Sequence, residues 1–372
     1  MKFLIVTHVP HILEERSYFA YAPYIDEMNI WAKQVSEVII IAPLKTANKT
    51  AVDSTYRDPK VKFLAIEIFD VLSLRAVFRA LIKLPRISCK IFKAMQRADH
   101  IHLRCPGNIG LLGCFVQIVF PNKKKTAKYA GNWDPKSKQP WSYRLQKWIL
   151  SNTFLTRNMQ VLVYGEWKNQ SKNIKPFFTA TYLESEKKDF QEKSLSQNIH
   201  FIFVGTLVKG KNPMYAIQLV HELVKSGYSV YLDVYGEGVE RASLEKYILD
   251  FNLAEAVNLK GNQSKDILKK AYQESHFVIL PSKSEGWPKA IAEGMFWGCV
   301  PIATPVSCVP FMVDFGNRGV LLQMNIDQDV SQLKVLLNNE SDFVTKARMA
   351  AAWSKKYTVD LFETEIKKMI LS

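Results

Sequence analysis

The stretch Phe277–Thr304 reads FVILPSKSEGWPKAIAEGMFWGCVPIAT. Its apolar run Phe277–Leu280 predicts a buried strand, and Pro288–Phe296 has helical character, with a turn between the two. A second buried strand, Val300–Thr304, follows. The first backbone N–H groups of a helix have no partner inside the helix, and proline is frequent at the helix start. A strand, a loop and a helix in this order therefore predict a site for an anion.

Two carboxylates in this stretch, Glu285 and Glu293, are eight positions apart. An eight-residue step along a helix turns by about 80° and rises about 12 Å, so both side chains could contact one elongated ligand. On spacing alone, an equally good alternative is that Glu285 caps the helix and Glu293 is a solvated surface residue.

The composition indicates a globular chain of two domains. Its 372 residues are too many for one core, and 48% hydrophobic with 12% aromatic residues allow a large interior. The net charge of +15 indicates attraction to an anionic partner. Nucleic acid, phosphorylated metabolites and an anionic membrane face are all compatible with that charge.

Cysteine usage and hydropathy favour a cytoplasmic protein. The cysteines include no C-x-x-C pair and lie mostly in apolar surroundings, which favours reduced thiols over disulfides or zinc ligation. The N-terminal apolar run is too short for a signal peptide and predicts a first strand. The longest later apolar stretch, Ile109–Phe120, is too short to span a bilayer. We therefore expect any membrane contact to be peripheral, at the inner membrane face.

The first half of the chain predicts a parallel sheet. Phe3–Thr7 and Val38–Pro43 read as strands with a helix over Tyr24–Gln34 between them, and such a βαβ unit implies parallel strands. Residues 72–97 are basic and amphipathic. The simplest interpretation of them is one or two surface helices broken near Pro85. A face that docks on an anionic membrane surface is a second interpretation, compatible with the first.

The second half repeats the alternation of strands and helices, with glycines at strand ends. This pattern predicts a doubly wound sheet that binds ligands at the carboxyl edge of its strands. The strands are expected over His200–Gly205, Ser229–Tyr235 and Val257–Lys260, and the helices over Pro213–Ser226, Ala242–Phe251 and Ile267–Glu274. The polar segment Glu184–Gln197 predicts the boundary between the halves.

Four segments of the second half resemble, in order and spacing, the donor site of the retaining family-4 glycosyltransferases (glycosyl transferases group 1), which have the GT-B fold. The segments are Phe203–Asn212, Val234–Gly238, Gly261, and Pro281–Gly286 with Trp287, Pro288 and Glu293 after it. The resemblance implies an α/β fold of two Rossmann-like, doubly wound domains facing across a cleft, with a C-terminal helix crossing back to the first domain. We expect an acceptor domain over 1–190, a donor domain over 197–352 and the crossing helix over 353–372.

The resemblance implies a nucleoside-diphosphate sugar as the donor, with no metal or other cofactor. A departing diphosphate needs positive charge, which Lys211 and the helix N-terminus near Trp287 would supply. Glu285 would hold the transferred sugar and Glu293 the ribose. The residues implied to bind the donor are Gly205, Thr206, Lys209, Lys211, Gly236, Asn262, Glu285, Gly286, Trp287, Pro288, Lys289 and Glu293.

Two positions depart from the family pattern. Thr206 stands where the family usually has an arginine, and Lys209 is expected to substitute for it. Pro288 stands where many members have glycine, which removes one N–H group from the phosphate site.

The first half resembles the family only loosely. His100, His102 and Arg104 alternate along one predicted strand, so their side chains share one side of it. The paired histidines match a strand of the family, which implies that His102 is a catalytic residue together with Lys211 and Glu285. A satisfied core histidine is the alternative. The residues expected on the acceptor side are His8, His11, Arg104, Asn132 and Trp133.

Three functions are compatible with the sequence. The favoured one is a retaining hexosyltransferase-type enzyme that moves a sugar to a glycan or lipid-linked saccharide in cell-surface polysaccharide or glycoconjugate synthesis. The second is a GT-B nucleotide-sugar epimerase. The third, a nucleic-acid-binding protein, is suggested by the charge alone and disfavoured by the donor-site segments, so we expect no nucleic-acid partner.

Overall fold

A computed structural model describes residues 1–50, 52–57, 61–67, 74–196 and 198–371, with only the backbone for 74–81. The chain folds into two compact units. The first unit is Met1–Phe177 with Glu363–Ser372, and the second is Phe178–Phe362. The segment Glu184–Gln197, which we expected at the boundary, lies within the second unit. The predicted domain limits stay a prediction, because they concern segments that would fold independently.

The first unit alternates strands and helices. Its strands are β1 (Lys2–Val6), β2 (His11–Glu14), β3 (Ser17–Tyr21), β4 (Glu37–Lys45), β5 (Asp53–Thr55), β6 (Val61–Ile66), β7 (His100–Cys105), β8 (Lys124–Tyr129), β9 (Met159–Tyr164) and β10 (Ile174–Phe177). Its helices are α1 (Ala22–Ala32), α2 (Leu74–Arg97), α3 (Asn108–Val116) and α4 (Trp141–Ser151), and a 3-10 turn covers Gln117–Val119.

A parallel sheet in the order β10-β9-β8-β7-β1-β4 forms the centre of the first unit, and β6 also pairs with β4. Its alternating residues pack on both faces. Leu4 and Val6 lie on the face covered by α2, α3 and α4, whereas Phe3 packs against Trp31 of α1 on the other. This arrangement confirms the predicted parallel α/β architecture of the first half.

An antiparallel hairpin after β1 extends this sheet. Strand β2 pairs with the end of β4 and with β3, and β3 pairs with β5. The turn between β2 and β3 holds Glu15 and Arg16 with φ values of 48° and 67°. Two successive left-handed residues suit the tight turn of a hairpin.

Helix α2 corrects the expected break near Pro85, because it runs without interruption from Leu74 to Arg97 with that proline inside it. Proline forfeits one backbone hydrogen bond and crowds the preceding turn. The burial of Ile87, Ile91 and Met95 in the core offsets this cost, since each is at most 3% exposed. Residues 72 and 73 of the predicted basic stretch lie outside the described residues.

The second unit repeats the alternation more regularly. Its strands are β11 (Ile199–Val204), β12 (Val230–Tyr235), β13 (Val257–Gly261), β14 (Phe277–Leu280), β15 (Val300–Ala303) and β16 (Val320–Leu321). Its helices are α5 (Pro213–Lys225), α6 (Arg241–Asp250), α7 (Lys265–Glu274), α8 (Lys289–Phe296), α9 (Val309–Met312), α10 (Ile326–Leu337) and α11 (Glu340–Ser354). The last helix, α12 (Val359–Leu371), begins in this unit and continues into residues assigned to the first.

The second sheet is parallel throughout, in the order β13-β12-β11-β14-β15-β16. Its centre is packed by aromatic residues, with the Phe201 and Phe277 rings stacked 4.8 Å apart. Helix α8 lies very close to the sheet at Gly294, where an added Cβ would come within 2.6 Å of the Val278 side chain. The strand-loop-helix unit of the opening stretch is therefore fixed against the core.

Candidate active site

The loops after β11, β12, β13 and β14 meet at the carboxyl edge of the second sheet. Backbone hydrogen bonds join them: Gly205 N–H donates to Tyr235 O, Gly236 N–H to Gly261 O, and Lys283 N–H to Gly210 O, at 2.8 to 2.9 Å. The segments singled out in the sequence are thus neighbours in space. Ligands of open parallel sheets bind at this edge.

Two glycines permit this close approach of the loops. At Gly236, with φ 139°, an added Cβ would lie 1.9 Å from the carbonyl oxygen of Gly205. At Gly238 it would lie 2.3 Å from the carbonyl oxygen of Leu207. No side chain fits at either position unless the loops separate.

Lys211 and Glu285 form an ion pair between two of these loops. The Lys211 Nζ lies 2.6 Å from Glu285 Oε1, and the two side chains are 31% and 7% exposed. The loop that carries Glu285 is held by Ser307 Oγ and Cys308 Sγ, which both donate to Gly286 O. An ammonium and a carboxylate are thereby positioned side by side at the edge where the anion site was predicted.

Helix α8 begins directly after this loop. Pro288 is its N-cap, so the helix starts at Lys289, one residue later than expected. The N–H groups of the first turn point out of the helix end and favour an anion there. Pro288 contributes no N–H, in line with the predicted loss of one donor.

Glu293 is half-buried in α8 and is not a freely solvated carboxylate. Its Oε1 accepts a hydrogen bond from Thr181 Oγ1 at 2.7 Å, and its Oε2 accepts one from Tyr272 at 3.3 Å. Burial raises the pKa of this carboxyl, while the Thr181 hydroxyl opposes the shift. Glu293 also lines a small cavity of about 10 Å³, with Trp287 and Lys289 among its other lining residues.

Three other predicted donor residues, Thr206, Lys209 and Asn262, have exposed side chains on the loops of this edge. Gly205 is followed by Thr206, and an added Cβ at Gly205 would make only ordinary contacts, the nearest at 3.6 Å to Phe203. Exposure leaves these side chains accessible to a ligand. Their predicted contacts with a donor stay predictions.

His102 lies in the interior of the first unit. It is fully buried, its Nδ1 lies 2.9 Å from Thr126 Oγ1, and its ring packs against those of Phe3 and Trp31. Burial lowers its pKa well below the ordinary value, so the ring is neutral at pH 7. This is the environment of a core histidine, and the approach of His102 to a donor stays a prediction.

Arg104 belongs to a buried charge cluster, centred on Glu27, at the carboxyl edge of the first sheet. Its Nη1 lies 2.5 Å from Glu27 Oε1, while Glu27 Oε2 lies 2.9 Å from Lys128 Nζ. The three side chains are at most 9% exposed. Together they carry a net charge of +1 in a low-dielectric environment, where an anion is favoured.

The other expected acceptor residues have different environments. His8 is exposed at the end of β1. His11 is fully buried, with Nδ1 2.9 Å from Val9 O and Nε2 2.7 Å from Tyr56 OH, and burial lowers its pKa to about 4.

Trp133 is 2% exposed and donates to Gln170, and the Asn132 side chain accepts from the Asp134 N–H. Acceptor contacts by these residues stay predictions.

Sequence reasoning missed several partners in both units. Thr181 and Tyr272, which bond Glu293, stand far from it in the chain and have no local signal. Glu27 had one, because it lies three residues after Tyr24 and four before Trp31, on the side of α1 that the apolar residues mark as buried. A charged residue on a buried helical face predicts a buried ionic partner.

The basic side of α2 is partly tied to the first unit itself. Lys83 and Arg86 pair with Glu67, and Lys90 Nζ donates to Ala65 O. Ile82 is nevertheless 67% exposed.

Across the described ranges, no helix has the length and apolar character needed to cross a membrane. In the same ranges, His, Cys, Asp and Glu side chains form no group of three or more that could hold a metal ion.

Comparison with known proteins adds a family to the second unit. Residues 184–356 match the family described as Glycosyl transferases group 1. This group 1 segment contains Lys211, Glu285 and Glu293 and lies inside the second unit. The predicted match of the donor half to glycosyl transferases group 1 is therefore confirmed, whereas family 4 and retention stay predictions.

Curated relatives are similar over part of their length. The chain is 25% identical over 169 residues to an uncharacterized glycosyltransferase of Methanocaldococcus jannaschii, which covers 45% of this chain and 46% of that protein. It is 24% identical to the GtfA subunit of the UDP-N-acetylglucosamine–peptide N-acetylglucosaminyltransferase of Streptococcus parasanguinis, over 68% of this chain and 50% of that one. The chain thus spans about half the length of these relatives.

A solved structure agrees with the fold over the whole chain. HepE of Anabaena, crystallised with UDP and glucose, superimposes with a TM-score of 0.71 at 14% identity, covering 100% of both chains. At this identity the likeness concerns the fold alone. It confirms the prediction of a two-domain α/β fold of the GT-B type.

Proposed function

We propose that this chain is a retaining family-4 glycosyltransferase that moves a hexosyl group from a nucleoside-diphosphate sugar to a glycan or lipid-linked saccharide. The observation that carries the proposal is the Lys211–Glu285 pair at the carboxyl edge of the second sheet, beside the start of α8. The match of residues 184–356 to the group 1 family supports it, as do the names of the relatives.

The donor diphosphate would lie between Lys211 and the first turn of α8. The Lys211 side chain is 31% exposed, so a phosphate would approach it from the solvent side without breaking its contact with Glu285. Lys209, exposed on the same loop, supplies a second cation in place of the arginine missing at Thr206. Positive charge fixed before the reaction stabilises the leaving diphosphate, which makes the proposed reaction independent of a metal.

The two carboxylates would bind different parts of the donor. Glu285 has an oxygen, Oε2, beyond the one paired with Lys211 and would accept hydrogen bonds from hydroxyls of the transferred sugar. Glu293 would bind the ribose hydroxyls, which replace the Thr181 and Tyr272 hydroxyls as its donors. Asn262, exposed after β13, would line the base pocket.

The transfer itself breaks the bond between the anomeric carbon and the diphosphate oxygen, and that oxygen keeps the electron pair. The acceptor hydroxyl oxygen then bonds to the anomeric carbon on the same face, and its proton passes to a diphosphate oxygen. Retention of configuration follows from this same-face attack. Lys211 holds the charge of the leaving group throughout, so no carboxylate nucleophile is needed.

The acceptor would bind to the first unit. Arg104 and its partners Glu27 and Lys128 lie at the carboxyl ends of β7 and β8, where ligands of parallel sheets bind. His8 is exposed at the end of β1, on the same edge. We further propose a cytoplasmic enzyme of cell-surface polysaccharide or glycoconjugate synthesis. Contact of the basic helix α2 with the inner membrane face is part of this proposal.

A screen of nucleotide sugars by thermal shift tests the proposal. A ligand at 100 times its Kd stabilises its site by about 2.7 kcal/mol, so the cognate donor should raise the melting temperature measurably. The enzyme with that donor should then transfer sugar to an acceptor, in the presence of EDTA as well. If no nucleoside diphosphate or nucleotide sugar raises the melting temperature, the proposed donor site is wrong. If the product is an epimerised nucleotide sugar, the enzyme is an epimerase and not a transferase.

A further inference from the structure

A cavity of about 720 Å³ opens at the amino ends of β8, β9 and β10 in the first unit. Lys124 and Met159, the first residues of β8 and β9, line it. Arg104 and Asn132 lie at the other end of the strands, about 20 Å away for strands of six residues. The cavity is therefore separate from the edge where we place the acceptor.

The charge of this cavity is strongly one-sided. Its lining includes the cationic residues Lys124, Lys125, Arg157, Lys172 and Lys175. Among the described residues that line it, none is aspartate or glutamate. A concave site lined by charges of one sign concentrates counter-ions.

Three of these cations are available to a ligand. Arg157, Lys172 and Lys175 are exposed, and within the described ranges none of them lies within 4.0 Å of a carboxylate oxygen. Among the residues that the structure describes, Lys124 Nζ makes one hydrogen bond, to Ile370 O at 2.9 Å, which leaves two of its N–H groups for a ligand. Lys125 differs from them because its buried ammonium donates to Gln117 Oε1 and Phe120 O, and burial lowers its pKa to about 8.

We propose that this amino-edge cavity binds a phosphate-bearing ligand. Its volume falls in the range of small-molecule sites, roughly 300 to 1,000 Å³. Asn122 and Thr153, both exposed, add an amide and a hydroxyl to the cations. Guanidinium, ammonium, amide and hydroxyl donors around a polar cavity are the groups that bind phosphate oxygens.

The rim of the cavity indicates two sources for that phosphate. Phe154 is 70% exposed, and the Arg157 guanidinium lies 4.6 Å from the centre of its ring. Val119, two residues before Pro121 in the lining, is 62% exposed. An exposed aromatic ring beside cations suits a lipid headgroup, and the volume of the cavity, about 720 Å³, suits a soluble phosphate. The inference does not rest on the proposed sugar transfer.

Site-resolved lysine labelling tests the proposal with the full chain. Acylation of Lys172 and Lys175 by an amine-reactive ester is measured by mass spectrometry against pyrophosphate concentration, because a ligand in the cavity shields these ammonium groups. Labelling at these two lysines reports on the cavity even if pyrophosphate also occupies the donor site. Sedimentation with phosphatidylcholine vesicles, with and without phosphatidylglycerol, tests the lipid source.

The variant Arg157→Glu keeps both reporter lysines and changes one exposed side chain. Lys246→Glu, exposed on α6 of the second unit, is its matched control for net charge. We expect pyrophosphate protection at least tenfold weaker in Arg157→Glu and within twofold of wild type in Lys246→Glu. If Arg157→Glu loses vesicle binding but keeps protection by pyrophosphate, the phosphate belongs to a lipid. If it loses protection by pyrophosphate but keeps vesicle binding, the phosphate belongs to a soluble ligand. The proposal is overturned if neither probe binds, or if both variants lose binding equally.

Discussion

Lys211 Nζ and Glu285 Oε1 lie 2.6 Å apart, although the two residues stand 74 positions apart in the chain. The pair joins the loop after β11 to the loop after β14, and the lysine is the more exposed partner. A cation held in place by a buried carboxylate loses little conformational freedom when an anion binds. The ion pair thus serves both to connect the loops and to prepare the site for a phosphate.

Lys211→Ala should reduce kcat/KM for transfer by about 100-fold, since a fixed charge on the leaving group contributes on that order. It also leaves the Glu285 carboxylate buried without its cation, which should lower the melting temperature of the second unit. Lys211→Arg keeps the charge and should restore most of the stability. Kinetics near the wild-type values for Lys211→Ala would contradict the proposed contact with phosphate.

Glu293→Ala and Glu285→Ala should have different kinetic effects. Loss of Glu293 removes the proposed ribose contact and should weaken nucleotide binding roughly 10- to 150-fold, since a hydrogen bond to a charged group contributes roughly 1.5–3 kcal/mol. Loss of Glu285 should mainly lower kcat. Calorimetric titration with the nucleoside diphosphate and steady-state kinetics would separate the two, and the reverse pattern would exclude the assigned roles.

Gly236→Ala should destabilise the second unit by about 2–4 kcal/mol, through overpacking and a left-handed φ. The new Cβ would lie 1.9 Å from Gly205 O, between the ends of β11 and β12. Gly210→Ala is the control, because an added Cβ there has nothing within 4 Å. Scanning calorimetry should show a lowered transition for the first variant only; equal melting temperatures would mean that the loops separate without cost.

Stability should fall as the pH decreases from about 6.5 towards 4. Burial lowers the pKa of His11 and His276 to about 4 and that of His100 to about 3. Below pH 6.5 the unfolded chain therefore binds protons that these rings in the folded chain do not, and each ring costs about 1.4 kcal/mol per pH unit. Above pH 6.5 these rings are neutral in the folded and in the unfolded chain, so their full contribution to the free energy of unfolding is present.

His276→Asn isolates one of these rings. The imidazole accepts from His200 N–H through Nδ1 and contacts Ser194 O through Nε2, and an asparagine can replace the acceptor. The variant should lose less stability than wild type between pH 7.5 and pH 5.5, by about 1 kcal/mol. Denaturant titrations at both pH values measure the free energy of unfolding of each protein. An equal loss of that free energy in the variant and in wild type would show that His276 does not titrate in this range.

Much of the second unit could be predicted from the sequence because its signals are local. Apolar runs such as Phe277–Leu280 end at turn residues, and glycines mark the points where loops approach, as Gly236 shows. The four donor-site segments follow strand ends, so the parallel topology alone brings them to one edge. The Lys211–Glu285 contact follows from that placement.

The first unit was predicted less fully because its determinants are not local. The hairpin turn uses Glu15 and Arg16 in left-handed conformations, without the glycine or asparagine by which such turns are recognised. His102 alternates along its strand as a ligand-binding residue would, yet its side is the one covered by Trp31. Which face of a strand a helix covers depends on the packing of the whole unit.

The close contact of Gly294 with Val278 has a consequence for protein engineering. Helix α8 carries Glu293 and begins beside Glu285, so its distance from the sheet fixes where both carboxylates stand. Any side chain at position 294 would move the helix outward and displace both together. Libraries that aim to change the choice of donor should keep this glycine constant and diversify an exposed position such as Thr206, where a new side chain leaves the backbone in place.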